Sequence, residues 1–312
     1  MSIVTVTLNP ALDLTGNLPH VDLGSLNRIE TSNMHASGKG INVAVVASNL
    51  NTKVTATGIL GQNNQAPFVA LFSQNNITDQ FIRVPGNTRI NVKLIENSDQ
   101  TTELNFPGLT IQPQSIKDLE TKIIKLLVNN DIFVLSGSLP ESLPSNTWAK
   151  IITPIVTAGK VVLFDSSGLA IAEGIKALPT FIKPNETELS TLMGRDTNSA
   201  EYQQKAAEQL LKLGIKNVVI SKGKNGVSWF QDKVLIQAIP PKVKVVNTVG
   251  AGDSLVAGMA VGLSYGLKDE EVLRMACAVA AIKITQIDMA IKDSADIEKM
   301  KQQVTIKRFS LI

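Results

Sequence analysis

The chain has 312 residues, 44% of them hydrophobic, with a formal net charge of +3; that length suits one large α/β domain with a core of Val, Ile, Leu and Ala. No basic block of the kind that follows a phosphate backbone is present, which excludes nucleic acid as a partner, and no apolar run reaches the ~18–20 residues that span a bilayer. One cysteine, Cys277, and two histidines argue against a zinc site and fit a reducing cytoplasm, and the opening MSIVTVTLNP has none of the regions of a signal peptide.

Short β-branched runs predict strands at 3–8, 54–60, 132–136, 161–165, 181–183 and 218–221. Helical spacing predicts helices at 41–50, 67–75, 113–128, 146–157 and 200–213. Strands alternating with helices, and apolar throughout, imply a mostly parallel sheet covered on both faces. The stretch GVSWFQDKVLIQAIP predicts a hairpin turning near Asp232. Helices follow at 251–265, 269–285 and 294–304. Two polar-alternating segments, 12–34 and 88–106, break the rhythm and read as a small β lid beside the main sheet. No repeat or linker divides the chain, so one domain over residues 1–312 is expected.

Several segments suit anion chemistry. In ASGKGINVA, Gly38 and Gly40 flank Lys39 before an apolar helix. A Gly-rich turn at a helix N-terminus offers N–H groups and the positive end of the helix dipole. The third glycine of a dinucleotide fingerprint is Val43 here, which argues against a nicotinamide-dependent dehydrogenase. In NTRINVK, strand alternation puts Arg89, Asn91 and Lys93 on one face. VLSGSLP ends a strand in small residues that let a ligand approach, with Ser138 among them. In FIKPNETEL, Asn185 can cap a helix with Glu186 and Glu188 in its first turn; Glu188 could equally hold Mg²⁺ through water. SKGKNG, holding Ser221, Lys222, Gly223 and Gly226, reads as a phosphate-wrapping loop or as a plain hairpin.

NTVGAGDSLVAGMAVGLSYG is the most specific stretch. Gly250, Ala251 and Gly252 open a helix, so their N–H groups form an anion hole. Asp253 follows in the first turn, where an ionised acid could take a proton from a hydroxyl beside a transferring phosphoryl group. Small residues at 258, 260, 262 and 264 prepare that helix for close packing.

Together, TVGAGDS, GKGIN, SGSLP and KPNETE resemble the ribokinase-like sugar kinases of the phosphofructokinase B family, in family order over nearly the whole chain. TLNPALDLTG and TRINVK are similar to its subgroup acting on phosphorylated ketohexoses. The resemblance implies ATP-dependent phosphorylation of fructose 1-phosphate at its 6-hydroxyl, with tagatose 6-phosphate as the neighbouring alternative. A sugar-phosphate sensor without catalysis is the alternative of another class; the intact Asp253 and its glycines argue against it. Asp253 would be the base, and Asp13, Gly38, Lys39 and Asn42 would hold sugar hydroxyls. Arg89 and Lys39 would meet the substrate phosphate, with Asn91 and Ser138 near it. Lys183, Asn185 and Glu188 would sit at the nucleotide phosphates and Mg²⁺. Ser221, Lys222, Gly223 and Gly226 would wrap the nucleotide. The family's lid often pairs two subunits, so a homodimer is expected. Two positions depart from the common pattern: Asn247 stands where many members carry Asp, and Ser37 where they carry Gly.

Overall fold

The computed structural model describes residues 1–98, 100–197, 199–286 and 294–311. The chain runs β1 (Ile3–Thr7), β2 (Ala11–Leu18), β3 (Thr31–Ser37), α1 (Lys39–Asn49), β4 (Val54–Gly61) and α2 (Ala66–Gln74). Then come β5 (Thr78–Asp79), β6 (Ile82–Val84), β7 (Arg89–Glu96), β8 (Thr101–Asn105), α3 (Pro113–Leu126), β9 (Ile132–Ser136) and α4 (Thr147–Thr157). β10 (Val161–Asp165), α5 (Gly168–Gly174), β11 (Phe181–Ile182), α6 (Glu186–Met193), α7 (Ala200–Lys212) and β12 (Asn217–Ser221) follow. The last third holds β13 (Val227–Gln231), β14 (Val234–Ile239), α8 (Ala251–Ser264), α9 (Asp269–Lys283), α10 (Ser294–Gln303) and β15 (Thr305–Ser310).

The main sheet has the order β15-β14-β13-β12-β11-β10-β9-β1-β4-β5, with β6 also paired to β4. It is parallel from β5 to β12 and antiparallel from β12 to β15. β1 reads IVTVT and is buried at every position, as a central parallel strand covered on both faces must be. From β1 the chain steps to β4 on one side and later to β9 on the other. That reversal opens a crevice at the strands' carboxyl ends, where open α/β sheets bind ligands.

Two apolar layers sandwich the sheet. One packs α1, α8 and α9 on it, the other α3, α4, α6 and α7. In the second layer Trp148 meets Phe164 edge-on, ring centres 5.9 Å apart. The small residues of α8 find their reason in the first layer: a Cβ on Gly258 would stand 2.6 Å from the Ala276 Cα of α9. Only glycine lets those two backbones come so close.

The lid is a separate four-stranded sheet in the order β3-β2-β7-β8. β2 pairs antiparallel with β3 and parallel with β7. The lid strands lie at 11–18, 31–37, 89–96 and 101–105, beside the expected segments 12–34 and 88–106. The hairpin near Asp232 is also present, as β13 and β14. Four elements lay outside the expectations: the short strands β5 and β6, α5 and β15. α5 is too short for its spacing to stand out. β15 pairs with β14 along the sheet edge, and its TIKRFS is mostly exposed, so no apolar face marks it.

Candidate active site

A cavity of about 550 Å³ lies at the carboxyl ends of the parallel strands, under the lid. The main sheet lines it with Gly137 and Ser138 after β9, Asp165 closing β10, Lys183 and Asn185 after β11, and Ser221 closing β12. Helix starts add Ser37, Gly38, Lys39 and Asn42 around α1, Glu188 on α6, and Val249, Gly250, Gly252 and Asp253 at α8. The lid contributes Asp13, Arg89 and Asn91, with Asn9 and Ala11 at its root.

The start of α8 is the centre of this wall. Gly250 caps the helix in the left-handed conformation, with φ 80°. The preceding loop is fixed by Asn247, whose Oδ1 accepts from the Val249 N–H at 2.9 Å. The expected three-donor hole needs a correction: the Ala251 N–H donates to the Thr248 carbonyl at 3.2 Å, and Ala251 does not line the cavity. Gly250 and Gly252 do line it.

Asp253 is 7% exposed, and its Oδ2 accepts a hydrogen bond of 2.7 Å from Asn42 Nδ2. Burial pushes its carboxyl up to about 6. The Asn42 bond opposes that rise, nearby Asp165 adds to it, and Lys39 and Lys183 pull it back. Asn42, expected at a sugar hydroxyl, therefore lines the cavity with its amide proton given to Asp253.

Lys39 is expected at the substrate phosphate. Its ammonium instead lies 3.7 Å from Asp165 Oδ2 and 3.9 Å from Glu188 Oε1. Burial alone would lower the Lys39 ammonium, but Asp165, Asp253 and Glu188 outweigh it and raise it above its ordinary value. Lys183 Nζ stands 3.3 Å from Asp165 Oδ1. Asn185 and Glu188 form a capping box at α6: Asn185 Oδ1 accepts from the Glu188 N–H at 2.8 Å, and Glu188 Oε2 accepts from the Asn185 N–H at 2.9 Å. The two readings of this acid are thus compatible, since one oxygen caps and the other faces Lys39.

The lid shows the predicted alternation. Asn91 Nδ2 donates to Asp13 Oδ1 at 3.0 Å, and Lys93 Nζ lies 3.8 Å from Asp13 Oδ2. Lys93 thus braces Asp13 and does not line the cavity. Arg89 donates weakly to the carbonyls of Phe106 at 3.3 Å and Asn9 at 3.4 Å, while its buried Nε has no partner. Burial lowers the Arg89 guanidinium against the pull of Asp13, and an arginine so placed still carries its charge.

Of the nucleotide-loop residues, Ser221 reaches the cavity, whereas Lys222, Gly223 and Gly226 do not line it. They belong to the turn into β13, and Lys222 Nζ donates to Ser228 Oγ at 2.8 Å. The residue most plainly missed is Asp165, an acid at the carboxyl end of a parallel strand in VVLFDSS, where the general rule for α/β sheets already points.

A family model described as pfkB family carbohydrate kinase matches residues 6–295. The chain belongs to this family. The kinase is 43% identical to a 1-phosphofructokinase of Vibrio cholerae over 304 residues, covering 97% of this chain and 96% of that one. Among solved structures it is similar to the phosphofructokinase-2 of Escherichia coli in complex with potassium, at 28% identity and TM-score 0.89, covering 96% and 98% of the two chains. For the fold alone, it also superposes on an Arabidopsis thaliana ribokinase with TM-score 0.79 at 22% identity, covering 96% and 98%. The kinase is ribokinase-like in architecture, with the mostly parallel sheet, flanking helices and small separate sheet that the sequence implied.

Proposed function

We propose that this kinase transfers the γ-phosphoryl group of ATP to the 6-hydroxyl of fructose 1-phosphate, giving fructose 1,6-bisphosphate and ADP. It does so as a single domain over residues 1–312 with the small sheet as its lid. The observation that carries the substrate class is Arg89: a guanidinium lining the cavity with a buried, unpartnered Nε. Its Nη groups make only long contacts to the Phe106 and Asn9 carbonyls, so the guanidinium charge at the cavity wall is left for an anionic sugar. The similarity to a 1-phosphofructokinase along 97% of the chain supports the same substrate.

The chemistry follows from the wall at α8. The substrate oxygen attacks the γ-phosphorus, the bond to the bridging oxygen of ADP breaks, and Asp253 takes the hydroxyl proton. The Gly250 and Gly252 N–H groups and the helix dipole stabilise charge on the transferring group. Lys183 and Lys39 face the donor phosphates, and Ser221 lies at the nucleotide side. Asp13, Gly38 and Asn91 orient the sugar, with Ser138 beside it.

The site fits Mg²⁺ held through water. Glu188 is a carboxylate oriented by its capping bonds with one oxygen toward the mouth. Among the described residues no group of three or more His, Cys, Asp or Glu forms a metal cage, and Mg²⁺ keeps several waters when few carboxylates meet it. Bound there, the ion would neutralise charge on the donor phosphates.

The lid also supports a homodimer. Its outward face carries Leu14, Met34, Val92 and Leu104 in one row across β3, β2, β7 and β8. Met34 and Leu104 are about half exposed, at 49% and 48%. A second copy covers such a row face to face. A cytoplasmic location fits the unpaired Cys277, and no helix among the described residues is long and apolar enough to cross a membrane.

The test is ADP release from MgATP with fructose 1-phosphate, tagatose 6-phosphate, fructose 6-phosphate and fructose. A clear kcat/KM preference for fructose 1-phosphate is expected. Preference for tagatose 6-phosphate would move the reacting hydroxyl to C1 and overturn the substrate, while leaving Asp253 and the glycines in their roles.

A further inference from the structure

Asp165 has no part in the scheme above, yet it lies at the bottom of the same cavity. Its residue is 1% exposed, and neither carboxylate oxygen has a hydrogen-bond partner. Burying a carboxylate without donors is costly, so its charge must be compensated in another way. Two ammoniums do that: Lys183 Nζ at 3.3 Å from Oδ1 and Lys39 Nζ at 3.7 Å from Oδ2. They come from different parts of the fold. Lys39 opens α1, and Lys183 follows β11. The Lys183 ammonium also stands 3.9 Å from where a Cβ on Gly252 would be, which places it at the mouth of α8.

The carboxylate is anchored by the sheet itself. Asp165 sits in register with Ser136 of β9, and its carbonyl accepts from the Gly137 N–H at 2.9 Å. Ser166 Oγ then donates to the Gly137 carbonyl at 2.9 Å. A flexible lysine is a poor aiming device by itself, with four carbons of stem. One fixed acid between two lysines removes that freedom from both. Neither contact has hydrogen-bond geometry, so the ammonium protons are left for phosphate oxygens.

We propose that Asp165 is a positioning residue for phosphoryl transfer, whose buried carboxylate holds Lys39 and Lys183 over one point so that both meet the donor phosphates already oriented. The inference needs the kinase assignment and not the identity of the sugar. Its test therefore reads the nucleotide side. Binding of the Mg²⁺ complex of a non-hydrolysable ATP analogue is measured by calorimetry, beside kcat and KM for ATP. Variants are Asp165→Asn, Lys39→Met with Lys183→Met, and all three substitutions together, each checked for folding by its melting curve.

Asp165→Asn should weaken analogue binding about 10-fold and lower kcat about 100-fold, as misplaced reacting groups do. In the background lacking both lysines, Asp165→Asn should change analogue binding less than about 2-fold, since nothing remains to position. A full effect in that background would overturn the proposal and put Asp165 in direct contact with metal or nucleotide. Wild-type binding and turnover in Asp165→Asn would overturn it as well. Should that variant not fold, the two single lysine variants carry the test. Lysines held by one carboxylate are coupled, so their combined loss in analogue binding should fall short of the product of the single losses. A plain product would overturn the proposal.

Discussion

The wall at the ends of the parallel strands and the wall supplied by the lid hold their polar groups in different ways. The first is made of strand ends and helix starts, and its charges are matched inside the fold: Lys39 and Lys183 with Asp165, and Asn42 with Asp253. The lid wall is one face of a four-stranded sheet, and it keeps atoms in reserve. Arg89 Nε and Asn91 Oδ1 are buried without partners. Its other face is an apolar row whose ends, Met34 and Leu104, are about half exposed. A wall whose charges are matched among its own residues suits chemistry common to a family, although Asp165 there also lacks hydrogen-bond donors. A wall with unpartnered groups suits recognition, because the ligand completes it. The strand-end wall should therefore govern kcat and the lid KM for the sugar.

Removing the base is the hardest blow to the first wall. Asp253→Asn should lower kcat by roughly 10²–10⁴-fold, with ATP affinity unchanged by calorimetry, since the residue accepts a proton and does not grip the nucleotide. Turnover near wild type would remove Asp253 from that role and leave the comparison without its catalytic half. On the lid side, Arg89→Ala should raise KM for fructose 1-phosphate by about 10- to 100-fold, the scale of a lost hydrogen bond to a charged group. KM for ATP should stay within about 2-fold. Equal rises in both would mean that the two walls do not divide the work. For the outer face, Leu104→Asp should convert a dimer into a monomer by light scattering, because the substitution buries an unpaired charge in the pairing surface. A wild-type protein that is already monomeric would refute pairing through the lid.

How much of this was legible in the sequence depended on how local each signal is. The anion-binding turns were readable because glycine, lysine and a following apolar helix are contiguous around Lys39, and likewise around Asp253. Alternation put Arg89, Asn91 and Lys93 on one face correctly, yet only the pairing of β2 with β7 shows that Lys93 serves Asp13. Lys39 was expected at the sugar phosphate, whereas the three-dimensional meeting of β10, α1 and α6 places it between Asp165 and Glu188. Asp165 itself gives no motif; its importance comes from Lys39 and Lys183, 126 and 18 positions away along the chain. Ala251 failed as a hole donor for a reason equally hidden, the nearby Thr248 carbonyl that takes its N–H.

The smallest expected effect concerns pH and sharpens the same contrast. Asp253 must be ionised to accept a proton, and burial holds it at about 6 instead of 3.8. The kcat profile should therefore lose about half its value near pH 6 and fall about tenfold per pH unit below that. Arg89 stays charged through this range, so KM for the sugar should not share that limb. The stability effect has the opposite sense. The folded state binds this proton more tightly than the unfolded chain does, so stability from this group is fully present below 3.8 and is lost as pH rises through about 6. At neutral pH the ionised base thus costs on the order of 3 kcal/mol. Asp253→Asn, which abolishes the cost while its oxygen can still accept from Asn42, should melt higher than wild type at pH 7 and show little difference near pH 4. A variant that melts lower at pH 7 would mean that Lys39 and Lys183 repay the buried charge in full, and the acid limb would then lie well below 6.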